Sequence, residues 1–595
     1  MSSTGLSRTY AGEVGEEQVG STITLRGWIA GRRDLGGLIF VDIRDHTGFS
    51  QIVFSPQHAP QLMEEAGTLR DECVVAVSGE VRQRENPNRQ TPTGMVEIYA
   101  TALIVLNRSD VPPFDVADRS RSSEELRLRH RYVELRHPEL QRTLRIRNEI
   151  TRVTHEYFAR HRFVEIETPL LVRATPEGAR DYVVPSRVHP GSFYALPQSP
   201  QIYKQLLMVS GFDRYLQIAK CLRDEDLRAD RQPEFTQIDM EMSFVDQEEV
   251  LQMTENFVAE LWKEVKGVDL SLPFDRLPFA EAMARFGSDK PDRRFGLELK
   301  NVSNLFGSTE FGVLKGTLEK GGIVAGLCLP DGAKYSRKMI DELTEHVKRY
   351  GAGGLVWLKV TAEGLSGGSA KFLSDTEIAG LREQFSAAEG DILFLVAADS
   401  KTALTSLGAL RLELARREEL IDKDADDFLF VVDFPMFEEI DAESGNAILA
   451  HHPFISYRNE DAALLESDPG AVRANQYDMV INGYETASGS IRIHEAETQY
   501  KALEATGLTR DEADEKFGFL IDALRLGAPP HGGIALGLDR LTMILAGTAN
   551  IRDVIAFPKT TSASSLMDAA PSPIDPKVLG ELSLNLDGPE QIVKE

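Results

Sequence analysis

Cysteine is nearly absent: Cys73, Cys221 and Cys328 are the only three in 595 residues. Thiols so few and so scattered build neither a disulfide framework nor a four-ligand zinc site, so they read as reduced structural residues. Long apolar runs are missing as well, none approaching the roughly 20 residues that a spanning helix needs. The opening MSSTGLSRTYAGEVGEE lacks a basic segment followed by an apolar stretch, which speaks against secretion or membrane anchoring and for the cytoplasm. Nor is there a surplus of positive charge, the formal net charge being -27. That argues against a basic-coated surface but excludes little, because nucleic-acid binding is a local property.

What is present is length and pattern. A chain of 595 residues exceeds what one hydrophobic core organises, so several domains are expected. Five β-rich runs, 22–29, 38–44, 49–54, 73–81 and 96–105, are parted by Gly, Pro, Asn and Asp clusters and predict a small five-stranded barrel of the OB-fold kind. VPPFDVADRS then marks a linker. Between residues 119 and 147 stand Arg119, Arg121, Arg127, Arg129, Arg131, Arg136, Arg142, Arg145 and Arg147, either a set of phosphate contacts or a hinge with internal ion pairs. Residues 144–158 repeat apolar positions at helical spacing and FVEIETPLL alternates until Pro169, predicting helix and then strand. Residues 215–244 read as an antiparallel hairpin. Residues 286–430, rich in Gly and acidic groups, carry no chemical constellation and read as an insertion, and the Ser-, Pro- and Asp-rich stretch after residue 565 as a poorly packed tail.

Three constellations carry chemistry. In the second strand of the hairpin, Phe235, Gln237, Asp239 and Glu241 share one face and Ile238, Met240 and Met242 the other. The preceding loop, CLRDEDLRADRQPEF, alternates arginines with acids and suits a polyphosphate with its counter-ions. In YDMVINGYETASGSIRIH, Asn482-Gly483 predicts a two-residue turn pairing Ile481 with Tyr484 and Val480 with Glu485. That register makes Asp478 and Glu485 diagonal neighbours, roughly 7 to 8 Å apart along the backbone, a pair fitted to magnesium together with substrate phosphates. Strict alternation puts Arg492 on the opposite face, so its entry into the site requires a bulge, expected at Gly489. Finally, GGIALGLDRLTMILAG reads as a strand running into a helix at Gly537, with Arg540 in the first turn. A cation there opposes the helix dipole, whereas a phosphate would be favoured.

Taken together these segments resemble the three signature motifs of class II aminoacyl-tRNA synthetases: FVEIETPLL the first, CLRDE through PEFTQID the second, GIALGLDR the third. The first matches only in its EIETP core, and Asp224 intervenes between Arg223 and Glu225 in the second. The order of barrel, hinge, core and large insertion resembles that of bacterial-type aspartyl-tRNA synthetases. The resemblance implies an α+β multidomain protein: an OB-fold anticodon-binding domain (1–110), a hinge (111–140), an antiparallel catalytic core (141–285 and 431–565), an inserted α/β, GAD-like domain (286–430) and a C-terminal extension (566–595). TPEGARDY resembles a mobile loop bringing Glu177 to aspartate. By the same resemblance Lys204 and Arg492 grip the aspartate side chain, aided by His451 or His452, while Ser199, Gln201 and Asp239 hold its ammonium. Arg223 meets the α-phosphate. Phe235 and Arg540 sandwich adenine. Asp224, Glu225, Gln232, Gly537, Leu538 and Asp539 complete the ATP site, and Asp478 with Glu485 holds Mg2+, with Arg223, Glu225 and Arg540 as the catalytic set. Arg33, Phe40, Gln51 and Glu97 align with positions that read the anticodon, although an alternating barrel strand could equally bury Phe40. Leu35 occupies a position where relatives charging both tRNA-Asp and tRNA-Asn tend to carry histidine.

The resemblance therefore implies a homodimeric, ATP-dependent aspartate–tRNA ligase acting on tRNA-Asp, with relaxed charging of tRNA-Asn as an open alternative. A sister enzyme charging asparagine or lysine would lack Lys204 paired with Arg492. A non-catalytic RNA-binding paralogue would have lost Arg223, Arg540 or the carboxylate pair, and all are present.

Overall fold

A computed structural model describes residues 8–175, 179–225, 231–441 and 445–586. The chain divides into two units, residues 1–146 with 552–573 and residues 147–551 with 574–595. In the first, β1 (Thr22–Leu35), β2 (Leu38–Arg44), β3 (Phe49–Phe54), β4 (Val74–Gln83) and β5 (Val96–Asn107) close a barrel in the order β1-β2-β3-β5-β4. Strict alternation sends Leu25, Ile29, Val41, Ile43, Ile52, Val77 and Ile98 inward, which is why five short runs suffice for a core. β1 outlasts its predicted end because a bulge between Ile29 and Gly31 bends it from β4 onto β2. Behind the barrel the arginine-rich segment is an internal ion network. Arg119, Arg127 and Arg131 converge on the buried Glu134 at 3.0, 2.8 and 2.6 Å. Arg131 also donates to the carbonyls of Arg552, Ile555 and Ala556. For these three, the hinge alternative is the one the structure adopts.

The second unit is built on an eight-stranded sheet. Among its elements, in chain order, are helix α1 (Pro138–Arg160), which begins in the first unit, β6 (Val164–Glu165), helix α2 (Gln201–Val209), β7 (Arg214–Leu222), β8 (Glu234–Ser243), helix α3 (Gln247–Lys266), β9 (Asp275–Pro278) and helix α4 (Phe279–Phe286). After the inserted region come β10 (Phe428–Val432), β11 (Gln476–Ile481), β12 (Tyr484–Ile491), β13 (His531–Gly537) and helix α6 (Leu538–Ala546). The strand order is β9-β10-β11-β12-β13-β8-β7-β6; the inner pairs are antiparallel, and only the edge pairs β9·β10 and β6·β7 are parallel. Helix α1 buries Ile150, Val153, Tyr157 and Phe158 at the predicted spacing. FVEIETPLL yields only the two-residue β6, because Thr168 turns to the side chain of Gln217 and Pro169 has no N–H to give. Helix α3 starts at a capping box of Asp246 with Glu249 and ends at Gly267, whose φ of 70° closes it.

The inserted region mixes helices and strands as expected, but its five-stranded sheet is antiparallel throughout. Its strand Ile392–Ala398 sends Phe394 and Val396 into one cluster and Leu393 and Leu395 into another, so both faces are dry and the sequence reads as an unbroken apolar run. Helix α5 (Ser400–Arg417) leads back towards the core. The tail expected to pack poorly contains a short helix, Pro576–Glu581, and buries Leu582. Among the described residues no helix is long and apolar enough to cross a membrane.

Candidate active site

β8 lies at the centre of the site because both neighbours pair with it along its length. Asp239 stands opposite Gln217 on one side and Ala535 on the other, and Glu241 opposite Tyr215 and Gly533. Small residues on β13 make room: a Cβ at Gly533 would come within 2.1 Å of the Glu241 carboxylate. The predicted face is thus real, but Asp239 and Glu241 on it are fully buried rather than solvated.

Two cations neutralise them. Lys204, from α2, sits 2.5 Å from Asp239 and 3.2 Å from Glu241. Arg492 binds Glu241 with Nε at 2.9 Å and Nη2 at 3.1 Å, and places Nη1 3.2 Å from His452 Nε2. The electrostatics follow from burial and pairing. Burial raises Asp239, with Lys204 opposing. Burial also pushes Glu241 up, but the charges of Arg492 and Lys204 outweigh it and hold the carboxyl at about 2. Burial takes His451 down to about 4 and, with Arg492 nearby, His452 well below the ordinary imidazole range, so both rings are neutral. Lys204, Asp239, Arg492, His451 and His452, with Ser199, Gln201, Arg223, Gln237, Gln476 and Ser488, line a cavity of about 120 Å³. Around it Asp239 Oδ2, Gln476 Oε1 and Arg223 Nε are buried without a hydrogen-bond partner among the described residues, an arrangement that fits a polar, charged small molecule.

Glu241 and Gln476 escaped selection from the sequence. The signal for Glu241 was its alternation with Asp239 on β8. Nothing in the sequence marked that end of the strand as dry. Ser199 and Gln201 stand together at the start of α2, the Gln201 backbone N–H donating to the Ser199 hydroxyl at 3.3 Å.

The second group gathers where the hairpin β11–β12 meets α6. The turn pairs Ile481 with Tyr484 and Val480 with Glu485 as predicted. The bulge exists, but it lies between Met479 and Val480 on β11, leaving Thr486 as the extra residue, and not at Gly489. It puts Ser488 opposite Asp478, which brings Ser490 and Arg492 onto the face of Asp478 and Glu485. Burial and then the Glu485 charge raise Asp478 well above the carboxylate range. Such a pair is relieved by a divalent cation, and two carboxylates suit an ion whose remaining ligands come from phosphate and water. Arg540 donates to the carbonyl of Glu485, joining the first turn of α6 to this hairpin.

Other expected nucleotide contacts are placed differently. The Arg223 guanidinium lies 5.2 Å from the centroid of the Phe235 ring, so cation and aromatic meet each other on one side of the cleft. Asp539 turns inward: one oxygen takes the Thr236 N–H at 2.9 Å and the other pairs with Arg147 at 2.5 Å, and Leu538 is buried. Asp224 is bound at its carbonyl by Arg180, Glu225 pairs with Arg231 at 3.0 Å, and Gln232 is buried. Gly537 caps α6 with no side-chain hydrogen bond, leaving first-turn N–H groups suited to an anion. Glu177 and the charged loop 226–230 lie outside the described residues.

On the barrel, Arg33 reaches Asp42 at 3.2 Å and Gln51 at 3.1 Å, and Gln51 reaches Glu97 at 2.9 Å, so three of the expected base-reading residues form one polar string. Phe40 stands opposite Arg33 and, unlike Ile39 and Val41, stays out of the core, which removes the buried-phenylalanine alternative. Leu35, 62% exposed, ends β1 beside the Gly36–Gly37 turn.

A five-stranded barrel joined in sequence to an antiparallel sheet bearing paired cations, paired carboxylates and a strand-to-helix junction at Gly537 defines a class II tRNA synthetase. The family of class II tRNA synthetases (D, K and N) matches residues 123–561, and the OB-fold nucleic acid binding domain matches residues 23–106. The aspartate–tRNA(Asp/Asn) ligase of Caldanaerobacter subterraneus subsp. tengcongensis is 51% identical over 98% of this chain and 99% of its own. The aspartate–tRNA ligase of Staphylococcus carnosus is 52% identical over 97% and 99%. The crystal structure of asparaginyl-tRNA synthetase from Pyrococcus horikoshii with asparaginyl-adenylate has a TM-score of 0.58 at 19% identity, covering 93% of this chain and 98% of that one, a likeness of fold. The chain belongs to the bacterial-type aspartyl-tRNA synthetases.

Proposed function

We propose that this chain activates L-aspartate with ATP and transfers it to the 3′-hydroxyl of tRNA-Asp. The observation that carries the reading is the buried quartet Lys204, Asp239, Glu241 and Arg492, of which Lys204, Asp239 and Arg492 line the cavity. Aspartate brings one ammonium and two carboxylates. Lys204 and Arg492 take the side-chain carboxylate, and Asp239, whose Oδ2 has no hydrogen-bond partner among the described residues, takes the ammonium with Ser199 and Gln201. Asparagine, nearly the same size, brings no charge to answer the one that Asp239 gives up to the ammonium, so it is rejected by the unpaired cation it leaves.

The chemistry is positioning and charge neutralisation without a covalent enzyme intermediate. The aspartate α-carboxylate oxygen attacks the α-phosphorus of ATP, the bond from that phosphorus to the α,β-bridging oxygen breaks, and pyrophosphate leaves. The tRNA hydroxyl then attacks the acyl carbon, releasing AMP. Arg223 faces the α-phosphate, Phe235 and Arg540 hold adenine, and Glu225 and the open N–H groups at Gly537 bind the nucleotide. Asp478 and Glu485 hold Mg2+, which supplies neutralisation of the phosphates. We further assign residues 1–110 to anticodon binding, 111–140 to a hinge, 141–285 and 431–565 to catalysis, 286–430 to a GAD-like insertion and 566–595 to an extension, with the enzyme acting as a cytoplasmic homodimer.

Choice between tRNA-Asp and tRNA-Asn is made on the barrel, since the active site sees only aspartate. Leu35 offers no polar contact to a mismatched base, and a mismatch costs about 1 to 3 kcal/mol. Charging of the two purified tRNAs is expected to favour tRNA-Asp by about tenfold or more, and Leu35→His to narrow the gap. Equal charging by the unmodified chain would refute the assignment of discrimination to Leu35.

A further inference from the structure

The two ends of the inserted region meet at one place, the Asn482-Gly483 turn of the hairpin that carries Asp478 and Glu485. From the returning end, Asp427 exchanges backbone hydrogen bonds with the turn: its N–H donates to Asn482 Oδ1 at 2.7 Å and its carbonyl accepts the Asn482 N–H at 3.0 Å. Asn482 Nδ2 donates to Asp426 at 2.8 Å. Asp426 is itself fixed by Trp262 Nε1 at 2.8 Å and Lys266 at 2.7 Å, both on α3. From the outgoing end, Asp292 packs so closely on Gly483 that a Cβ there would come within 2.8 Å of it. Arg294 binds Asp292 in bidentate fashion at 2.9 and 2.8 Å and extends to the Asn482 carbonyl at 3.4 Å.

The outgoing end is in turn stapled to the insertion's own helix. The fully buried Arg411 of α5 donates to the carbonyls of Asp292, Phe295, Gly296 and Leu297 at 2.9 to 3.1 Å, and its guanidinium lies 4.0 Å from the centroid of Phe295. Arg293 ties the two ends together through Asp427 at 2.7 Å. Turn, both tethers and helix α5 thus form one contiguous hydrogen-bonded body, the kind of physical path along which a displacement is transmitted. Asp289, on the same tether, adds its negative charge to those that act on Asp478 and His451.

An asparagine–glycine turn with φ of 55° and 80° is complete by its own backbone and needs none of these ties to form. We infer that Asn482 is a positioning residue: through it the two tethers of the inserted region hold the Asp478–Glu485 pair in register to receive the metal. This rests on the assignment of that pair to Mg2+. The inserted region is then part of the metal site's mechanical support rather than an appendage.

The test uses the full chain with a non-hydrolysable ATP analogue and Mn2+ as the probe, free Mn2+ being read by electron paramagnetic resonance. Asn482→Gly keeps the turn, since glycine adopts the left-handed conformation freely, and deletes the two side-chain hydrogen bonds. It is expected to weaken Mn2+ binding about fivefold or more, the loss that one to two hydrogen bonds predict, with the aspartate KM within about twofold of the parent. Asp426→Ala, which removes the acceptor of Nδ2, should weaken Mn2+ binding as well, whereas Lys266→Met, which leaves the Asp426–Asn482 hydrogen bond in place, should stay within about twofold of the parent. Unchanged Mn2+ affinity in Asn482→Gly overturns the inference, as does equal damage by Asp426→Ala and Lys266→Met. Glu485→Gln separates the two claims: if it binds Mn2+ like the parent, the metal assignment itself fails.

Discussion

Glu241 shows best how burial and charge compete at a single residue. It is wholly enclosed, yet Arg492 and Lys204 hold its carboxyl at about 2 against the ordinary 4.5. A carboxyl lowered on folding contributes stability that is present in full above its unfolded value and is lost as pH falls from there through the folded one. Glu241→Gln removes that contribution and leaves Arg492 short of a counter-ion, at a cost of about 3 kcal/mol near neutral pH. Thermal unfolding should therefore show the variant clearly less stable at pH 7, with the gap narrowing as pH drops from about 4.5 towards 2. A gap independent of pH would mean that Glu241 acts by shape alone. The sequence placed Asp239 and Glu241 on one face by alternation, and only Asp239 was singled out. Alternation says which side chains share a face; which stretch of that face is dry depends on α2 and on Arg492, which come from distant parts of the chain.

At the scale of elements, the hairpin β11–β12 was legible because Asn-Gly fixes both turn type and register. The need for a bulge was legible too, since Arg492 could not otherwise share a face with Glu485. Its position was not. Gly489 is the residue most tolerant of a bulge, but it is spent on close packing: a Cβ there would lie 2.3 Å from the Gly533 carbonyl and 2.6 Å from the Tyr477 ring. The bulge falls instead at Thr486, whose hydroxyl donates to the Met479 carbonyl at 3.0 Å. Gly489→Ala is accordingly expected to destabilise the core by about 1 to 3 kcal/mol through overpacking and to depress adenylate formation, because β12 must move away from β13. A variant with the parent's melting temperature and activity would show that the two strands part without penalty. The first motif failed as a strand prediction for a local reason: alternation in FVEIETPLL is genuine, but Pro169 and the Thr168–Gln217 contact divert the chain after Glu165.

At the scale of the whole molecule, the barrel and the antiparallel hairpins were readable because each is set by local periodicity and turn chemistry. The reach of the insertion to the Asn482 turn was not, since Asp292, Arg294, Asp426 and Asn482 are joined across up to 190 positions of sequence. The arginine-rich stretch was ambiguous for the same reason: its chief partners, Glu134 and Asp553, include one more than 400 residues away. The central claim is that two buried cations select aspartate. Pyrophosphate exchange into ATP, measured with the purified chain and with aspartate, asparagine or lysine in turn, tests it most directly. Rapid exchange with aspartate alone, lost in Lys204→Leu where a buried carboxylate would keep only one of its two cations, is the predicted result; exchange with asparagine at a comparable rate, or undiminished aspartate exchange in Lys204→Leu, would contradict the account.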